Sequence, residues 1–272
     1  MNVPDITLNN SAKIPQVGLG TWMMKDQKEC KQAVEWAIDA GYRHFDTAQI
    51  YENEEFVGEA LKNCNVPRKD LFITTKIWND NQWWDDLIPS LDESLKKLQT
   101  DYVDLLLLHF PVTETRGPAW RKMEEVFKSG KAKSIGVSNY TIKHLEELLE
   151  QCEVKPVVNQ VELHVFLQQP ELVEYCQKKG IAVEAYSPLV HGHGLNDPVL
   201  QVIGKKHDKS VAQIMLRWCV QQDWIILPKS VHNERITENI DVFNFKLDED
   251  DLSKIKELEK NFRTCWDPTH VP

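Results

Sequence analysis

The sequence predicts a (β/α)8 TIM barrel, an α/β fold with an N-terminal β-hairpin before it and an extra C-terminal helix after it. Short apolar runs alternate with amphipathic helical patterns eight times in about 250 residues, which is the count this fold needs. The run at 103–108 is almost wholly apolar, as a strand covered on both faces should be. Successive runs also end in ionisable side chains, and a barrel gathers its strands' C-terminal ends on one rim.

The elements follow in order. Residues 1–15 alternate around Asn9-Asn10-Ser11 and predict the hairpin. The first barrel strand lies at 17–20, and its helix at 28–40 is closed by Gly41. The second strand opens the stretch 44–62, which the rest of the chain is organised around. His44-Phe45-Asp46 reads as a strand end, and small and polar residues lead to Tyr51, where the next helix begins. Phe56, Val57, Ala60 and Leu61 share one face of that helix, and Glu52, Glu55 and Glu59 another.

The third unit is a strand at 71–76 and a helix at 84–98. The fourth is the apolar run with a helix at 118–128, which starts on Pro118 and stops at Gly130. Strands at 134–138 and 157–161 precede helices at 142–150 and 170–179. The seventh strand, 181–186, leads into a loop rich in glycine and histidine, then helices at 199–207 and 210–221. The eighth strand, 224–227, precedes a helix at 233–242, and a last helix spans 249–260. No composition shift or linker divides the chain, so residues 1–272 read as a single barrel domain.

Composition excludes several classes. Net charge is −10 with both signs interspersed, which disfavours binding to nucleic acid or to an anionic membrane. No window approaches about 18 uninterrupted apolar residues, so no membrane span is expected. The N-terminus carries no basic, apolar signal sequence. The six cysteines are scattered without a C-x-x-C pair and read as reduced thiols of a cytoplasmic protein. No metal is expected, and a monomer is the expected state.

Three strand ends bring Asp46, Lys76 and His109 to neighbouring rim positions, and Tyr51 follows the first of them. Adjacent strands lie about 5 Å apart, so long side chains there can meet. The four groups suit carbonyl reduction. A phenol, with a reference pKa of about 10, is a reluctant proton donor. A nearby ammonium from Lys76 would lower that pKa, and Asp46 would hold the ammonium charged. His109 would hydrogen-bond the carbonyl oxygen. None of the four supplies hydride, so a nicotinamide cofactor is required. Taken alone, the Asp46–Lys76 pair reads equally as a structural salt bridge.

The motifs F-D-T-A-Q-I-Y, K-I-W and L-L-L-H-F-P together resemble the aldo-keto reductase family, over essentially the whole chain. The resemblance is to short members of the bacterial and protozoan type, such as 2,5-diketogluconate reductase or prostaglandin F synthase. The resemblance implies a barrel that uses NADPH (NADP+) to reduce aldehydes and ketones. It also implies a catalytic tetrad of Asp46, Tyr51, Lys76 and His109, with Tyr51 as the acid.

Gly18-Leu19-Gly20 lacks a third glycine at dinucleotide-fold spacing, so a Rossmann site is not supported. A basic cluster follows the eighth strand in L-P-K-S-V-H-N-E-R-I-T-E-N, the usual barrel location for phosphate. By itself it reads either as that site or as a solvated loop. The resemblance implies that Lys229, Ser230, Val231, Arg235, Glu238 and Asn239 hold the adenosine half. It assigns Ser138, Asn139 and Gln160 to the nicotinamide carboxamide, and Tyr186 to the nicotinamide ring. Ser187, Leu189, Gly20, Thr21 and Trp22 complete the set.

The loop Val190-His191-Gly192-His193-Gly194 departs from the family pattern, and its histidines are expected to be exposed. His164 is expected to be a hydrogen-bonded rim residue. The substrate, a small carbonyl compound, would meet Trp22, Trp78 and His109, with Phe110 and Trp266 as weaker candidates. Trp83, Trp84 and Trp120 are expected in the core. A short C-terminal tail predicts an open pocket. Two other readings use the same barrel: a binding protein that senses nicotinamide redox state, and a metal-assisted hydrolase built on His109, His164 and Asp46.

Overall fold

A computed structural model describes residues 3–272, so the first two residues of the predicted hairpin segment lie outside it. Strands Asp5–Thr7 (β1) and Lys13–Pro15 (β2) pair antiparallel, with Ile6 opposite Ile14. Leu8 and Ile14 are buried with Phe72, Leu105, Val158 and Ile225, which stand at strand starts. The hairpin thus covers the N-terminal end of the barrel and leaves the opposite rim free.

Eight parallel strands follow: Gly18–Gly20 (β3), His44–Asp46 (β4), Phe72–Ile77 (β5), Leu105–Leu108 (β6), Ile135–Ser138 (β7), Val158–Glu162 (β8), Ala182–Tyr186 (β9) and Ile225–Leu227 (β10). They pair in chain order. A parallel bridge between Val17 and Ile226 nearly closes the ring, and the Gly20 N–H donates to the Pro228 carbonyl at 3.2 Å. Closure is favourable because it leaves no row of unpaired strand edge.

Among the described residues ten α-helices accompany them: Gln27–Ala40 (α1), Glu54–Asn63 (α2), Leu87–Lys97 (α3), Arg116–Ser129 (α4), Ile142–Gln151 (α5), Pro170–Lys179 (α6), Pro198–His207 (α7), Val211–Gln221 (α8), Asn233–Ile240 (α9) and Glu249–Lys256 (α10). Their apolar faces and the outward faces of the strands form one large core. Local chemistry sets the ends. Asp26 caps α1 by accepting from the Glu29 N–H at 2.8 Å, and Gly41 ends it at a φ of 103°, which a side chain would resist. Ser210 and Gln213 cap each other reciprocally at the start of α8.

Three expectations are corrected. The third-unit helix starts at Leu87 rather than residue 84, and Trp83 and Trp84 are 54% and 48% exposed instead of buried. Lys122 lies over the Trp84 ring at 3.8 Å, so this tryptophan is held at the surface by a cation. Trp120 is 1% exposed, as expected. The last helix stops at Lys256, short of residue 260, because the Lys260 and Phe262 N–H groups turn to the Phe166 carbonyl. No helix of the described residues is long and apolar enough to cross a membrane.

Gly58 carries the packing of α2 on the end of α3. A methyl there would overlap the Lys97 carbonyl oxygen and the Leu98 Cα. Alanine is intrinsically the better helix former by about 1 kcal/mol, but backbone cannot move aside cheaply. Gly58→Ala should therefore lose about 1–3 kcal/mol of stability, read from the urea midpoint. A midpoint that stays or rises would show that the helices separate freely.

Candidate active site

β4 ends at Asp46, β5 carries Lys76 near its end, and His109 follows β6 directly. Tyr51 closes a short 3-10 turn, Gln49–Tyr51, between β4 and α2. The four side chains meet. The Lys76 Nζ donates to Asp46 Oδ1 at 2.6 Å, to the Thr47 carbonyl at 2.9 Å and to Tyr51 Oη at 3.3 Å. An ammonium has three donors, so all are engaged. Tyr51 Oη accepts, which leaves its own hydrogen free. The His109 ring stands edge-on to Tyr51 with centroids 5.7 Å apart.

Burial dominates the electrostatics. Lys76 has 0% exposure and Asp46 3%. Burial disfavours the Lys76 ammonium, but Asp46 and then Tyr51 outweigh it and hold its pKa above the usual lysine value. Burial pushes the Asp46 carboxyl up, against the pull of Lys76 and Gln160. Tyr51 departs from expectation. Lys76 does pull its phenol down, but burial is the larger effect and the net shift is upward. The phenol is therefore fully protonated at neutral pH. Burial first, and Lys76 second, hold His109 well below the ordinary imidazole value, so its ring is neutral. Its Nδ1 is buried without a hydrogen-bond partner among the described residues.

The residues expected to face a nicotinamide lie on the next strands. Ser138 ends β7 and donates to the Gln160 carbonyl at 2.9 Å. Asn139, at a φ of 64°, donates to the His109 carbonyl at 3.0 Å, and Tyr186 donates to its Oδ1 at 2.7 Å. Thr21 is turned inward with 0% exposure, and its hydroxyl donates to the Asp46 carbonyl at 2.9 Å. Gly20 is held in the closing seam by Pro228.

The expected adenosine group is brought together. Leu189, Lys229, Ser230, Val231, Arg235, Glu238 and Asn239 line one cavity of about 570 Å³. Lys229 and Arg235 are exposed there and form no ion pair among the described residues. The first amides of α9 have no side-chain cap. Two unpaired cations and an uncapped helix start suit a phosphorylated nucleotide.

Around the tetrad, Trp78 stands 5.3 Å from the His109 ring and 5.5 Å from Trp266, and Phe110 lies 6.2 Å from Trp266. The tail is short but not withdrawn: Glu162 accepts from the Thr264 and Cys265 N–H groups, which brings Trp266 over the rim. Trp22 is 43% exposed, with His191 edge-on at 5.4 Å. His191 also touches Ser187 and Cys265. His191 and His193 are both exposed. His164 pairs with Glu162 at 3.2 Å, apart from Asp46 and His109, so the metal-hydrolase constellation does not assemble. A larger cavity of about 660 Å³ lies between α5, α6 and the tail, but no tetrad residue lines it.

The comparisons agree with this geometry. The model of the Aldo/keto reductase family matches residues 16–260. The chain belongs to the aldo/keto reductase family. A glyoxal reductase of Bacillus subtilis is 45% identical over 98% of this chain and 96% of its own. An aldo-keto reductase from a Medee basin deep-sea metagenome has a TM-score of 0.95 at 41% identity, over 98% of this chain and 99% of its own. A Bombyx mori aldo-keto reductase, solved in complex with NADP, has a TM-score of 0.91 at 40% identity, over 97% and 95% of the two chains.

Two contributors escaped sequence reasoning. Gln49 accepts from the Trp78 N–H at 2.8 Å and so fixes the pocket wall to the Tyr51 turn. Glu184 is wholly buried inside the barrel. Its signal was present: a lone carboxylate in the apolar strand I-A-V-E-A-Y.

Proposed function

We propose that this protein reduces aldehydes and ketones to alcohols with NADPH, and that Tyr51 supplies the proton. The observation that carries the reading is the Lys76 ammonium. Its three hydrogens go to Asp46, Thr47 and Tyr51, so the phenolic hydrogen of Tyr51 alone is free to leave.

The bound cofactor supplies hydride to the carbonyl carbon. A neutral His109 donates one N–H to the carbonyl oxygen and orients it. As negative charge develops on that oxygen, Tyr51 gives up its proton. The phenolate left behind gains from the Lys76 ammonium, which was already in place and needs no reorganisation. Solvent then returns a proton to Tyr51. Trp22, Trp78 and Trp266 would flank the substrate and exclude water.

Lys229 and Arg235 would hold the cofactor's phosphates, with Ser230, Val231, Glu238 and Asn239 around the adenosine. Ser138, Asn139, Gln160 and Tyr186 would meet the nicotinamide, and Gly20, Ser187 and Leu189 the span between, while Thr21 supports the site from beneath through Asp46. The NADP in the Bombyx relative supports the phosphorylated cofactor. Small dicarbonyls are the first substrates to test, since glyoxal is what the Bacillus relative is named for. One barrel domain, acting as a cytoplasmic monomer, suffices for all of this.

Tyr51→Phe should lower kcat for glyoxal reduction by about 10²–10⁴-fold while the Kd for NADPH stays within about twofold. Unchanged turnover would remove Tyr51 as the acid. Arg235→Ala should weaken NADPH by about 10- to 100-fold in a fluorescence titration and NADH far less. Equal losses would show that Arg235 does not read the 2′-phosphate.

A further inference from the structure

Below the tetrad, Glu184 of β9 sits in the barrel interior with 0% exposure. Its Oε2 accepts from Gln160 Nε2 at 2.7 Å. The same nitrogen donates to Asp46 Oδ2 at 2.8 Å. A primary amide has two N–H donors, so both are engaged. Turning the amide over would set its oxygen against the Asp46 carboxylate, which can only accept. Gln160 Oε1 accepts from none of the described residues and is left as the free acceptor.

The cluster holds two acids and one close cation, Lys76, which pairs with Asp46. From β4, His44 Nε2 lies 3.7 Å from Glu184 Oε1, and Thr74 Oγ1 of β5 lies 3.2 Å from that nitrogen. Burial pushes His44 down to about 3, so it offers no positive charge. Burial, and then the Asp46 charge, push Glu184 up to about 8. Burial thus favours the uncharged acid at Glu184, while Asp46 has the Lys76 ammonium at 2.6 Å, so the two carboxyl groups can share one amide without strong repulsion.

We propose that Glu184 is a positioning residue: together with Asp46 it locks the Gln160 amide so that only the acceptor Oε1 is presented to the carboxamide NH2 of the nicotinamide. This rests on the reductase reading above, in which Gln160 meets that carboxamide. It adds a reason for the orientation. The network that holds Lys76 charged also decides which end of Gln160 the cofactor meets.

The test compares NADP+ with its 3-acetylpyridine analogue, which replaces the amide NH2 by a methyl group. Dissociation constants would be measured for the wild type, Glu184→Leu and Glu184→Gln. Leucine removes the acceptor and frees one Gln160 N–H. Glutamine keeps an acceptor and, like the uncharged acid, bears no charge. Glu184→Leu should weaken NADP+ by about three- to tenfold, one hydrogen bond's worth, and the analogue by less than about twofold. Glu184→Gln should bind both ligands as the wild type does. Equal weakening of both by leucine would mean a general structural role, and weakening of neither would mean no role; either overturns the inference while the wild type still binds NADP+. If the wild type binds neither ligand, the reductase reading fails and this inference falls with it.

Discussion

The 2.6 Å contact between Lys76 and Asp46 is the constraint around which the rest is arranged. Neither residue reaches bulk water, and an unpaired charge there would cost several kcal/mol. The pair is satisfied only because other groups complete it: the Thr47 carbonyl and Tyr51 on the lysine side, and Gln160 on the aspartate side. Strand order makes this possible. β4 and β5 are neighbours, which sets Asp46 beside Lys76, while Gln160 reaches Asp46 from β8 across the barrel interior.

Burial and the Lys76 ammonium act on Tyr51 in opposite directions. Burial raises the phenol's pKa, and the adjacent ammonium lowers it. Burial wins at rest, so the hydroxyl keeps its proton. In the proposed reaction the ammonium matters later, when the proton has left and phenolate remains. The site is thus a stable donor before the reaction and a stabilised anion during it, with no group required to move. The neutral His109 fits the same logic, because a charged imidazole next to Lys76 would add repulsion.

Much of this was legible in the sequence, for physical reasons. Strands covered on both faces leave apolar runs that are hard to mistake, and ionisable residues at their ends stand out against that background. Asp46, Lys76 and His109 were readable in this way, and Gly41 and Gly130 marked helix ends by their backbone freedom. What the sequence concealed depended on contacts between distant segments. Trp83 and Trp84 looked like core residues, yet the helix begins after them and leaves them at the surface. The short tail predicted an open pocket with Trp266 only a weaker candidate, yet Glu162 draws residues 264 and 265 onto the rim. Glu184 stood out as a lone acid in an apolar strand, but its partners Gln160 and His44 come from other strands and became visible only in the closed barrel. The direction of the Tyr51 shift was missed because proximity to a cation can be guessed from spacing, whereas depth of burial cannot.

Lys76 remains an ammonium in the barrel interior because Asp46 holds it there. Nitrogen-15 NMR of the Lys76 side chain, titrated against pH, reads this directly. The prediction is an ammonium signal that persists above about pH 10.4, where solvent-exposed lysines are already half titrated. A Lys76 nitrogen that loses its proton well below that point, as an unpaired buried lysine does, would contradict the account.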